Sequence, residues 1–144
     1  NNEDLYLFYP HNLVKEINKR VTIAIQNVAK ITCDKLKECI DEQYYQDPEF
    51  YPNIYQRTEA FLNSTAYELL GKNSAKVGID TSSMYYSNGF SAIKVVEYAK
   101  QSMHGSPLYQ TNTEDFWTVF IEWADVNVPM LLRSELKRQG LNVK

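Results

Sequence analysis

Two histidines, two cysteines and a few paired acids are the residues of this 144-residue chain that could carry chemistry. His11 and His104 stand at no metal-like spacing to a second ligand, and no H-x-x-x-H, C-x-x-C or EF-hand loop occurs. Cys33 could act as a nucleophile only beside a histidine that the fold brings to it. Gly71 and Gly78 do not make a phosphate-binding loop, and Gly105 after His104 reads as a tight turn. Asp41–Glu42 and Glu114–Asp115 read more simply as helix-end charges than as an acid/base pair. The first of these pairs falls at an expected helix C-terminus, where the dipole disfavours it. An enzyme with a site gathered from His104, Cys33 and Asp80 stays open as a reading, but no enzyme signature supports it. No metal and no cofactor is expected.

The elements that would position these residues follow from hydrophobic spacing. A chain of this length normally forms one domain with a real core. Residues 1–11, "NNEDLYLFYPH", are expected to form an N-terminal arm ahead of a single α+β domain over 12–144. Leu5, Leu7 and Tyr9 alternate and could face one way as a short extended arm available to a neighbouring subunit; a tail that packs on its own domain is the other reading. From Asn12, an expected N-cap, apolar residues recur at helical spacing through Leu13, Ile17, Val21, Ala24, Val28 and Ile31. The spacing predicts a helix to about Gln43, roughly 45 Å long at about 1.5 Å per residue. A second apolar set, Val14, Ile23 and Ile25, widens the stripe and makes Ile25 a candidate for an intersubunit surface.

Pro48 and Pro52 end that helix before Asp47, because each biases its predecessor away from helical backbone. The stretch from Tyr44 to Phe61 holds four tyrosines and two phenylalanines, and reads as a rigid aromatic joint. Arg57 is expected to donate to carbonyls of the joint, and Thr58 to cap a short helix, "TEAFLNS". "TAYELL" and "AKVGID" around "GKNS" predict a β-hairpin. Ser91 caps an expected helix in "SAIKVVEYAKQSM", with a strand at its start as the alternative. Thr111 and Glu114 form a T-x-x-E box ahead of an aromatic helix, "DFWTVFIEWA". Pro129 fits a first turn, so the chain is expected to break near 125–127 and to restart at Val128 as a last helix ended by Gly140. The expected fold is therefore α+β: a long N-terminal helix, a small antiparallel sheet of the hairpin plus a further strand, and C-terminal helices packed on the sheet.

Composition bounds the function. The formal net charge is -3, and basic residues are dispersed except near the C-terminus, where Arg133 to Arg138 suit a helix dipole. That distribution argues against sequence-specific nucleic-acid recognition. No run approaches 18 uninterrupted apolar residues and no signal-peptide pattern opens the chain, so neither a membrane span nor secretion is expected. Cys33 and Cys39 on one helix would be roughly 9 Å apart along its axis and about 120° apart around it. A disulfide needs α-carbons within about 7 Å, so two free thiols are expected, in keeping with a reducing cytoplasm. Eleven tyrosines offer large contact area with a polar tip, which suits protein–protein association or, equally, a core with many half-buried aromatics.

The order of segments also carries a family likeness. "YYQDPEFYPNIYQRTEAFLNS" resembles a spaced pattern borne here by Tyr45, Pro52, Tyr55, Arg57, Thr58, Leu62 and Ser64. The end resembles a closing Leu-Leu-x-x-Glu-Leu-Lys-x-x-Gly helix, borne by Leu131, Leu132, Glu135, Leu136, Lys137 and Gly140. Together, over about 12–144, these resemble the minor tail components of long-tailed bacteriophages, the group that includes tail-completion and head–tail joining proteins. The resemblance implies a virion subunit without catalytic residues that assembles in the bacterial cytoplasm. It also implies a homo-oligomeric, hexameric ring at the neck, with connector or stopper, tail terminator and tail tube as partners. A rigid joint would hold helix and sheet at one angle, which matters where angular error accumulates around a ring. A cytosolic adaptor that binds a protein through its tyrosines is the alternative from another class.

Overall fold

The computed structural model describes residues 2–46, 59–86, 89, 91–103 and 114–144, with backbone alone for 2–11. The first helix, α1, runs Asn2–Ile40. The N-terminal residues expected as an extended arm are thus helical, and Asn12 is an interior helix position rather than a cap. The helix runs through Pro10, and no glycine occurs before Gly71 to favour a break. Side-chain burial divides α1 in two. From Ala24 onward one face is buried through Val28, Thr32, Cys33, Leu36, Cys39 and Ile40, whereas residues 12–17 are all exposed.

The helix ends in a wider turn. Asp41–Tyr45 is π-helical, and Gln46 N–H reaches back five residues to the Asp41 carbonyl at 2.9 Å. The Gln46 side-chain amide also donates to Asp41 Oδ2 at 2.7 Å. This contact accounts for an acid at the unfavourable end of a helix: the carboxylate accepts from the terminating residue. The end falls just ahead of Asp47, as the prolines require.

Strands β1, Thr65–Leu69, and β2, Ala75–Ile79, form the expected antiparallel hairpin, with Thr65 opposite Ile79 and Leu69 opposite Ala75. Among the described residues the sheet is this hairpin alone. In place of the expected "TEAFLNS" helix, the described part shows one 3-10 turn, Leu62–Ser64. Helix α2, Ala92–Ala99, starts where the sequence indicates, with Ser91 Oγ accepting from Lys94 N–H.

Helix α3, Phe116–Arg138, is continuous, with Pro129 inside it. The expected break near 125–127 does not occur. Asn127 Nδ2 donates to the Trp123 carbonyl at 2.8 Å, and half-buried Leu131, Leu132 and Leu136 carry on the face begun by Phe116 and Phe120. Continued packing along both halves outweighs the proline penalty, whose unbonded Asp125 carbonyl lies on an exposed residue. The cap also falls four residues later than the T-x-x-E reading, at Asp115 rather than Thr111. Asp115 Oδ1 accepts from Thr118 N–H at 2.7 Å and Oδ2 from the Thr118 hydroxyl at 2.8 Å. Thr111 lies outside the described residues.

The α+β expectation holds, with α1 as the middle element. The hairpin and α3 both pack on α1, whereas α3 meets the strands at most marginally. A strongly aromatic core closes the assembly: Leu36, Ile40, Phe61, Val95, Phe116 and Phe120 are buried together.

Candidate assembly surface

Two contacts set the angles between the elements, and both involve residues of the spaced sequence patterns. At the joint, Tyr45 and Leu62 meet directly. The Tyr45 hydroxyl accepts from Leu62 N–H at 3.2 Å, which ties the π-helical end of α1 to the chain entering the hairpin. Phe61, fully buried, stands edge-on to Tyr44 at 5.1 Å and to Phe116 at 5.2 Å between ring centroids. Edge-to-face pairs at this spacing add about 0.5–1.5 kcal/mol each beyond area burial. Ser64, also buried, donates its hydroxyl to the Phe61 carbonyl. Pro52, Tyr55, Arg57 and Thr58 lie outside the described residues.

At the other end, the terminus of α3 docks on α1. Gly140 has φ +83°, and the chain closes with Gly140 N–H to Lys137 O at 2.9 Å and Leu141 N–H to Leu136 O at 3.0 Å. This double bond pattern is a Schellman motif, which glycine at a left-handed position favours. Arg20 Nη1 donates to the Gln139 carbonyl at 3.0 Å, and Arg20 Nε to Glu16 Oε1 at 3.1 Å. A β-carbon at Gly140 would stand 2.9 Å from Arg20 Nη1. Glu135 accepts from Asn27 Nδ2 at 3.1 Å and pairs with Arg138 at 3.5 Å. Further along, Lys35 Nζ lies 5.7 Å from the Trp123 ring centroid. These pairings show that α1 and α3 run antiparallel. Sequence reasoning missed Arg20 and Asn27; the only hint was a polar residue near an otherwise apolar stripe.

Because α3 ends level with Arg20, residues 2–19 of α1 project about 27 Å past it, at about 1.5 Å per residue. On this projection Leu13 and Val14 are 57% and 56% exposed, and Ile17 is exposed with them. Beside it lies a groove between α1 and the hairpin tip, lined by Val14 and Ile23 and rimmed by Lys15, Lys19 and Lys72. The Thr22 hydroxyl holds the tip in place by donating to the Lys72 carbonyl. Ile25 is half-buried, and Leu5, Leu7 and Tyr9 belong to the helical backbone of α1.

The residues with chemical potential are placed differently. Cys33 and Cys39 are buried free thiols, and burial pushes both above the ordinary thiol pKa of 9.0. At Cys33 a hydrogen bond with Thr65 opposes that shift more weakly. Asp80 is exposed and accepts from Ser82 N–H at 3.0 Å as the cap of a 3-10 turn, Thr81–Ser83. His104 lies outside the described residues. Among the described residues no group of three or more His, Cys, Asp or Glu could hold a metal ion, and no helix is long and apolar enough to cross a membrane.

Comparison with known families places the chain among phage-derived proteins. It belongs to the YomN family, of Bacillus prophage origin, whose model matches residues 10–137. No curated protein and no solved structure matches it.

Proposed function

We propose that this chain is a structural subunit of the phage virion neck, a tail-completion or head–tail joining protein. It forms a homo-oligomeric, hexameric ring that links the head connector to the tail tube, and it carries out no catalysis. The observation that carries this reading is the projecting half of α1, on which Leu13, Val14 and Ile17 are exposed, with no element among the described residues packed over them. Exposed apolar residues in one contiguous stripe mark an interaction surface. Membership of a phage-derived family supports a virion context. The Tyr45–Leu62 and Arg20–Gln139 contacts support a subunit of fixed shape.

Labelling decides the position. A phage carrying an epitope-tagged copy is expected to bind antibody-gold at the head–tail junction, and particles lacking the protein are expected as separate heads and tails. Label on the head shell, or a virion without the protein, would reject the neck. A purified protein that forms only one-to-one complexes with a single host or phage protein would favour an adaptor.

A further inference from the structure

The outer face of α3 carries an unusual stripe. Val126 and Met130 are 63% and 61% exposed, Glu122 and Asp125 precede them on the same exposed side, and exposed Arg133 follows one turn beyond Met130. Among the described residues neither acid has an ion-pair partner, and neither do Lys15, Lys19 and Lys72 around the α1 groove. Both patches are therefore apolar centres beside unpaired charge, positive on α1 and negative on α3. They also match in length. Val14 to Ile23 spans about 13 Å and Glu122 to Met130 about 12 Å, at about 1.5 Å per helical residue.

The two patches cannot meet within one chain. Lys35 stands at Trp123, so the α3 patch is level with residues near 35 of α1, while the groove is centred near 18. The offset is on the order of 25 Å along the same helix. We infer that the lysine-rimmed groove of one copy takes the Glu122–Met130 face of α3 of the next copy. This deepens the ring reading and rests on its self-association. Because the two faces differ, the contact is head-to-tail, and each copy leaves one face free to bind another. Such contacts give a closed ring where the rotation closes and a filament where it does not. The charges set register and partner choice, and the apolar centres supply burial.

Charge reversal tests the pairing on the full chain. Lys15→Glu with Lys19→Glu makes both patches negative, and Glu122→Lys with Asp125→Lys makes both positive. All four positions are exposed, and far-UV circular dichroism of each variant checks the fold; Lys→Gln and acid→amide versions serve if a reversal disturbs it. By light scattering after size exclusion, wild type is expected to grow in mass with concentration and each variant alone to stay monomeric. An equimolar mixture of the two variants is expected to recover oligomers, since each contact again joins opposite charges. Oligomers that persist in either variant alone would overturn this pairing while leaving a ring built on other surfaces possible. A wild type that stays monomeric throughout would also overturn it, and virion labelling would still decide the neck position separately.

Discussion

Arg20 Nη1 lies 3.0 Å from the carbonyl oxygen of Gln139, 119 residues further along the chain. Helix geometry leaves the last carbonyls of α3 without intrahelical donors. The Schellman turn at Gly140 satisfies those of Leu136 and Lys137, and Arg20 supplies a donor for Gln139 from the neighbouring helix. The positive charge also sits at the negative end of the α3 dipole, alongside Lys137 and Arg138. One arginine thus fixes where α3 stops against α1, and so how far α1 projects.

Gly140→Ala is expected to destabilise the fold by about 1–2 kcal/mol for the left-handed backbone alone. The clash with Arg20 adds to this, so the loss should shrink in an Arg20→Ala background. A double-mutant cycle by urea denaturation measures the difference. Equal losses in both backgrounds would show that the guanidinium does not press on position 140.

Tyr45→Phe removes the acceptor for Leu62 N–H and keeps the ring. A loss of about 0.5–1.5 kcal/mol is expected. Phe61→Ala, which empties the centre of the aromatic cluster, should cost about 3–5 kcal/mol. The denaturation midpoint reads both, and near-UV circular dichroism reads the packing of Phe116 and Trp117. A Tyr45→Phe midpoint equal to wild type would mean that water replaces the phenol at the joint.

Pro129→Ala restores an amide donor to the exposed Asp125 carbonyl. Proline in a helix interior is worth about 3 kcal/mol less than alanine, so the substitution should stabilise the chain by up to about that amount. Thermal unfolding of the isolated subunit checks it. A lower midpoint would show that α3 needs the proline ring to pack along α1.

The buried thiols predict an alkaline limit. Their folded pKa values are raised by burial above 9.0, so the folded state keeps protons that the unfolded chain gives up. Their contribution is fully present below the unfolded thiol pKa, near 9, and is lost as pH rises through the higher folded value. Stability should fall above about pH 9, and less steeply in Cys39→Ala. Both thiols should also resist a thiol reagent at neutral pH until the protein is unfolded. Rapid labelling of the native chain would contradict their burial.

Local chemistry was readable without the structure wherever neighbours in sequence decide the outcome. The hairpin follows from alternation around "GKNS", the Ser91 cap from a polar side chain at a helix start, and the stop before Asp47 from prolines that constrain their own predecessors. Gly140 was legible as a helix terminator because its left-handed conformation is a local requirement. Three features needed tertiary packing. Residues 2–10 alternate like a strand yet join α1, because cooperative extension of an existing helix needs no new nucleus. Pro129 looks like a boundary, but α3 passes through it because residues on both sides lie along α1. Arg20 and Asn27 gave no local sign of their partners, since Gln139 and Glu135 are more than a hundred residues away and only the antiparallel docking of α3 brings them within reach. The same docking decides which apolar residues of α1 are covered and which are left exposed, a partition that helical periodicity alone cannot make, because both halves of the helix carry the same stripe.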